Sequence, residues 1–113
     1  MPDFNFIKKK KHFEWMQKCL SCWEACETLI TESIKQRTNL SIVTVARDCS
    51  EICSLCIKFE AQRSSFFEQL CQVCANICDA CIIECEKSTE KTQAVIQCAE
   101  ACKICAESSR ETA

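Results

Sequence analysis

Glycine is absent from this chain of 113 residues, proline occurs once, as Pro2, and histidine once, as His12. Each scarcity removes something. Without glycine there is no phosphate-cradling loop, no dinucleotide-binding fingerprint and no nucleophile elbow, since each needs a residue without Cβ at fixed points. Tight hairpins also lean on glycine for positive φ. The lone histidine has no evident catalytic partner, and no nucleophile–base pair or acid/base dyad stands out, so the chain does not read as an enzyme. No apolar run is long enough to span a bilayer, so no membrane partner is expected. The N-terminus is basic, but Phe13-Glu14-Trp15-Met16-Gln17-Lys18 follows where a secretory signal would carry its apolar stretch.

Net charge is low, at −2, which argues against a nucleic-acid partner. Lys8-Lys9-Lys10-Lys11 is the only dense basic patch. It reads as a solvated helix start, the other reading being a weak anionic docking patch. The length fits a single domain, 1–113. With 48% hydrophobic and 27% charged residues, the chain can build a core and is no disordered tail. A glycine-free chain rich in Cys, Glu, Ala, Lys, Ile and Gln is expected to be all-α.

Cysteine is what the sequence has in excess: fourteen residues, a level that marks a special role for thiols. In a secreted protein this would suggest a disulfide framework. Lacking a secretion signal, the chain is expected to be cytoplasmic, where thiols stay free or bind metal. The cysteines form four clusters: Cys19, Cys22 and Cys26; Cys49, Cys53 and Cys56; Cys71, Cys74, Cys78, Cys81 and Cys85; Cys98, Cys102 and Cys105. Every gap within a cluster is three or four, so each cluster is a stripe along one helix face.

Polar breaks separate the clusters, at Gln36-Arg37-Thr38-Asn39, Gln62-Arg63-Ser64-Ser65 and Glu86-Lys87-Ser88-Thr89-Glu90-Lys91. They predict helices over 6–36, 40–62, 66–87 and 92–109. Ser65 and Glu68 form a capping box at the expected start of the third. Short connections favour antiparallel neighbours, hence an up-down-up-down four-helix bundle with a cysteine-lined core. Gap order agrees: the first cluster runs three-then-four, the second and fourth four-then-three. Folding at the breaks layers Cys19 with Cys56 and Cys71; Cys22 with Cys53, Cys74 and Cys105; and Cys26 with Cys49, Cys78 and Cys102. Cys81 and Cys98 lie above, and Cys85 at the upper end. Register errors of one turn leave the stacking intact. Ile30, Ile34, Ile42 and Val45 are expected to cap the upper end. Phe59, Phe66, Phe67 and Leu70 gather near the lower turn, and Trp15 and Trp23 flank the first stripe.

One or two buried cysteines need no function, because free cysteine packs as a small hydrophobe. Fourteen in a seam where leucine would pack better forfeit packing energy. Disulfides between same-helix neighbours are poorly oriented. Metal remains. Zinc wants separate tetrahedral groups of four ligands, which a continuous stripe does not mark off. Iron–sulfur motifs share the C-x-x-C spacing but usually wrap the cluster with a loop. Cu(I) fits best, being soft and content with few ligands. Sulfurs at i and i+4 can lean onto one ion: Cys22/Cys26, Cys49/Cys53, Cys74/Cys78, Cys81/Cys85 and Cys98/Cys102. Buried thiolates without cations are prohibitively costly, so the expected load approaches one Cu(I) per cysteine, with a proton released per thiol. His12 and Met16, spaced i and i+4 and in line with Cys19, extend the stripe and are expected to admit copper at that end. Two other readings stand beside storage: an iron–sulfur electron-transfer protein, and a thiol redox sensor.

The stretch Cys71-Gln-Val-Cys74-Ala-Asn-Ile-Cys78-Asp-Ala-Cys81-Ile-Ile-Glu-Cys85 resembles the third helix of the bacterial copper storage proteins. Cys98-Ala-Glu-Ala-Cys102-Lys-Ile-Cys105-Ala-Glu resembles their last helix, and Asp48-Cys49-Ser-Glu-Ile-Cys53 their second. The resemblance covers most of the chain. It implies a cysteine-lined bundle storing Cu(I), usually a homotetramer, with His or Met near the open end and a cytosolic location. Family members often carry further first-helix cysteines where this chain has Leu29, Ile30 and Ser33. They also commonly carry histidines where it has Lys87, Thr89 and Lys91.

Overall fold

Four helices follow one another: α1 (Phe4–Gln36), α2 (Leu40–Ala61), α3 (Phe67–Lys87) and α4 (Gln93–Thr112). The computed structural model describes the backbone of residues 4–112 and the side chains of 9–112, so Pro2 and the Lys8 side chain lie outside the described residues. Among the described residues there is no strand. The helices match the predicted ranges closely; α4 runs three residues further, to Thr112.

The missing glycines are felt where helices stop. Arg37 adopts φ 55° and Arg63 φ 53°, the left-handed region that glycine normally fills after a helix. Thr38 N–H then reaches back to the Ser33 carbonyl at 3.1 Å, and Ser64 N–H to the Phe59 carbonyl at 2.9 Å. Both are the wrap-back bond of a Schellman cap, made here around arginine. The capping box expected at Ser65 does not form. The helix begins only at Phe67, with no side-chain cap on its first turn, and it is Ser64 Oγ that accepts from Phe66 N–H, at 3.1 Å. The wrap-back that ends α2 has already positioned Ser64, whose carbonyl accepts from Phe67 N–H at 3.2 Å, so Ser65 lies inside that turn and not at the helix cap. α4 is capped conventionally, Thr92 Oγ1 accepting from Val95 N–H at 3.3 Å.

Each helix packs on its neighbours in sequence, and α4 closes back on α1, so the four form a square ring. The bundle measures 52 × 23 × 19 Å. Its two upper connections are tied together: Asn39 Nδ2 donates to the Glu90 carbonyl at 3.1 Å, and Ser88 Oγ donates to Asn39 Oδ1. Lys91 Nζ donates to the Cys85 and Glu86 carbonyls at 2.6 and 2.7 Å, supplying positive charge to the C-terminus of α3. Residues that stand where the family commonly carries cysteine or histidine therefore have structural uses here. Leu29, Ile30 and Ser33 are buried in the upper core, and Lys91 caps a helix.

Candidate metal centre

A buried helix stripe is normally filled by leucine and isoleucine; here it is filled by sulfur. All fourteen cysteines are free and buried, thirteen at 0% exposure and Cys85 at 1%. The three-four spacing keeps each stripe facing inward, and four inward stripes in a square ring bring sulfurs from every helix together. Four groups of four have sulfurs all within 4.8 Å of one another: Cys19/Cys53/Cys74/Cys105, Cys22/Cys49/Cys78/Cys102, Cys22/Cys53/Cys78/Cys105 and Cys26/Cys81/Cys98/Cys102. These groups overlap, Cys22, Cys53, Cys78, Cys102 and Cys105 each belonging to two of them, so the sulfurs form one continuous column with four-sulfur clusters along it.

The expected layers hold for α2, α3 and α4 and shift by one turn for α1. Cys53, Cys74 and Cys105 share a level, as do Cys49, Cys78 and Cys102; Cys19 joins the first set, and Cys22 joins the second while keeping its expected company of Cys53 and Cys105 in a group completed by Cys78. Cys26 moves up to Cys81 and Cys98 while keeping Cys102, as expected, within its group. The cause is the upper turn. Fourteen residues separate Cys22 from the end of α1 at Gln36, while nine separate Leu40 from Cys49. The last turn of α1 therefore projects above the start of α2, and folding at the midpoint of the break misjudges the register.

The close sulfur contacts run between helices. Cys22 lies 3.7 Å from both Cys49 and Cys102, Cys49 3.6 Å from Cys78, Cys26 3.8 Å from Cys98, and Cys98 3.8 Å from Cys81. One turn of helix raises a side chain by about 5.4 Å, so same-helix neighbours stand further apart than facing ones. Of the expected same-helix pairs, only Cys98 and Cys102 share a four-sulfur group. Cys56, Cys71 and Cys85 lie outside these groups; Cys56 Sγ donates to the Leu70 carbonyl at 3.4 Å.

Neighbouring thiols set one another's proton affinity. Cys49 is pushed below the ordinary thiol range, chiefly by hydrogen bonding from Cys102 and then Cys22. Cys102 is pushed up by its hydrogen bonds with Cys22 and Cys26, with burial adding to the effect. Cys74 goes down through Cys105, and Cys53 goes up through Cys105 and Cys19. The first thiolate in each group is thus sheltered by S–H donors, and the next is formed against it.

Both ends of the sulfur column are closed. Below, Trp15 is fully buried one turn before Cys19, so it continues the seam instead of flanking it as expected. Its ring meets Phe67 edge-on at 4.9 Å. Its Nε1 donates to Ser109 Oγ at 3.0 Å, and that hydroxyl lies 3.8 Å from Cys105 Sγ. Ser109 was missed in the sequence, although it stands four residues after Cys105 and prolongs that stripe. Above, Leu29, Ile42 and Val95 are each 1% exposed. Of the other expected end residues, Ile30 is buried while Val45, Leu70 and Trp23 pack half-buried against the core, and Phe59 is half-buried. Ile34 and Phe66 are instead exposed, at 48% and 59%, because Ile34 falls on the outer face of α1 and Phe66 lies in the turn before α3.

His12 Nδ1 lies 3.4 Å from Glu60 Oε1, and its ring rests on Phe67 with centroids 5.3 Å apart. Met16 is half-buried against the core. Both residues line a surface groove outside the Trp15–Phe67 layer; neither belongs to a four-ligand group.

Comparison with known proteins agrees with this geometry. A family model described as copper storage protein matches residues 8–113. The chain is 33% identical over 102 residues to the uncharacterised cysteine-rich protein YhjQ of Bacillus subtilis (strain 168), spanning 87% of this chain and 92% of that one. Among solved structures, it resembles Cu(I)-bound copper storage protein BsCsp3, with 33% identity, a TM-score of 0.84, and coverage of 91% of this chain and 98% of that one. It also resembles apo-Csp3 (copper storage protein 3) from Bacillus subtilis, with 32% identity, a TM-score of 0.78, and coverage of 87% and 94%.

Proposed function

The chain belongs to the copper storage protein family, and from that premise we propose that it holds its Cu(I) on the fourteen cysteine sulfurs of the bundle core. The observation that carries the reading is the burial of every thiol in a column shared by all four helices. Thiolate is the soft ligand that Cu(I) prefers. A column of thiolates cannot stay charged in a dry core, and about one Cu(I) per thiolate cancels that charge. Metal therefore enters as protons leave. Sulfurs facing across the helices, such as Cys22 with Cys49 and Cys26 with Cys98, are the nearest bridging pairs. Cys56, Cys71 and Cys85 complete the column at its ends.

Storage, not turnover, is the role we assign. His12 and Met16 are proposed as the first contacts for incoming copper at the lower end, where they share a groove. A cytosolic location fits fourteen free thiols, and no described helix is long and apolar enough to cross a membrane. We propose a homotetramer, to which exposed Leu20, Leu55, Val73, Ile83, Ile96 and Ile104 would contribute apolar surface; sedimentation of the purified protein measures it.

The deciding experiment is anaerobic titration with Cu(I), followed by elemental analysis of the saturated protein. A load near fourteen ions per chain, colourless and luminescent, is expected. Saturation at a handful of ions, or a brown iron-containing product from cells, overturns the reading.

A further inference from the structure

Sulfur distances in the middle of the column fit a different ion from the cargo. In the group Cys22/Cys49/Cys78/Cys102, five of the six S···S edges measure 3.7, 3.9, 3.7, 3.6 and 3.9 Å. The sixth, Cys78 to Cys102, is within 4.8 Å. Five edges of this length with so short a sixth close a slightly opened tetrahedron; a flat rhombus would push the sixth pair far beyond that limit. A tetrahedral Zn(II) with Zn–S bonds of about 2.3 Å has S···S edges of about 3.8 Å. Four sulfurs in a tetrahedron are the donor set of zinc-type ions, whereas Cu(I) needs no such arrangement. The group draws one cysteine from each helix, all fully buried.

We propose that Cys22, Cys49, Cys78 and Cys102 form a preorganised site for a single tetrahedral divalent cation of the zinc class, occupied when copper is scarce. The neighbouring group Cys19/Cys53/Cys74/Cys105 is looser, with close sulfur contacts only at Cys53–Cys74 and Cys74–Cys105, both 3.9 Å. The central group therefore fills first. Charge makes the occupancy provisional. One divalent ion on four thiolates leaves two negative charges, and the described buried residues include no Lys, Arg or His to offset them. Cu(I), at one ion per thiolate, leaves none. Desolvation of the residual charge thus biases exchange toward copper: Zn(II) departs intact as Cu(I) binds, with no electron transferred.

Cobalt(II) reports the geometry directly, because a tetrahedral tetrathiolate gives intense visible ligand-field bands and an octahedral oxygen site gives weak ones. Anaerobic, copper-free protein is titrated with Co(II), then with Zn(II), then with Cu(I). The expected result is a tetrahedral spectrum that saturates first at one ion per chain, is bleached by Zn(II), and gives up its Zn(II) quantitatively to Cu(I). Cys49→Ser, which touches only the central group, should weaken that first equivalent by roughly 100-fold or more, beyond the 10–100-fold of losing a supporting group. Cys71→Ser and Cys85→Ser, outside every four-sulfur group, should leave it unchanged, and circular dichroism checks that each variant folds. Weak octahedral bands alone, or a first equivalent indifferent to Cys49→Ser, overturn the proposal. The Cu(I) capacity measured separately tests storage and stands whichever way this site is decided.

Discussion

Trp15 and Ser109, 94 positions apart in sequence, meet at the bottom of the sulfur column, where the indole N–H donates to the serine hydroxyl at 3.0 Å. The contact fastens α1, about three turns from its start, to the last turn of α4 and closes the ring of helices. Trp15→Phe keeps the aromatic plug but deletes the donor. It should destabilise the apo-protein by about 1–3 kcal/mol in chemical denaturation while leaving copper capacity intact. Adding Ser109→Ala should recover part of the loss, and a double-mutant cycle with no coupling energy would show the bond to be idle.

The upper end carries a comparable test without hydrogen bonds. Leu29 is 1% exposed and Ile34, on the same helix, 48%. Leu29→Ala should cost about 2–5 kcal/mol of apo stability. Ile34→Ala should stay within about 0.5 kcal/mol. Equal losses at the two positions would contradict the plug described for this end.

Copper uptake should be accompanied by acid release. Cys56 is pushed up by hydrogen bonding with Cys71 and Cys74, and Cys85 by Cys81 and Cys98, burial adding in both cases. Thiols raised in this way hold their protons at neutral pH and must lose them to bind metal, so affinity there falls as pH falls. Cys98, pushed down chiefly by Cys102, competes with protons less. Potentiometric titration during loading should count close to one proton per ion at the raised thiols. Copper affinity flat between pH 6 and 8 would contradict the argument.

His12→Ala combined with Met16→Ala should slow the first phase of loading in stopped-flow measurements and leave most of the capacity in place. Identical traces for the variant and the parent would remove the lower end as the entrance. Glu60→Gln, which keeps the shape beside His12 but takes away the carboxylate 3.4 Å from its Nδ1, is the companion variant. Losing that contact should free the imidazole from its place beside residue 60 and change the rate of that phase, with capacity unaffected.

The fold was legible because one residue type marked both the period and the inward face. Cys71, Cys74, Cys78, Cys81 and Cys85 write a helix stripe without help from propensity, and glycine's absence left no competing architecture. Register on α1 was not legible, since it depends on how far the helix continues past Cys26 before the Arg37–Asn39 turn reverses it. Ser64 displaced Ser65 as the side-chain acceptor before α3 because the wrap-back bond to the Phe59 carbonyl decides where the chain leaves α2, and no local pattern encodes that. The four-sulfur groups were likewise invisible in one dimension: each takes cysteines from more than one stripe, and only the square ring assembles them.

Complete burial of the thiols has a consequence for exchange with the outside. A sulfur with no exposed surface offers no foothold to an incoming chelator, so an acceptor cannot pull an ion out by associative attack on the intact bundle. Residence time is then governed by how often the helices breathe apart, and the off-rate should level out as acceptor concentration rises. The same four helices that collect the ions would also act as their timer.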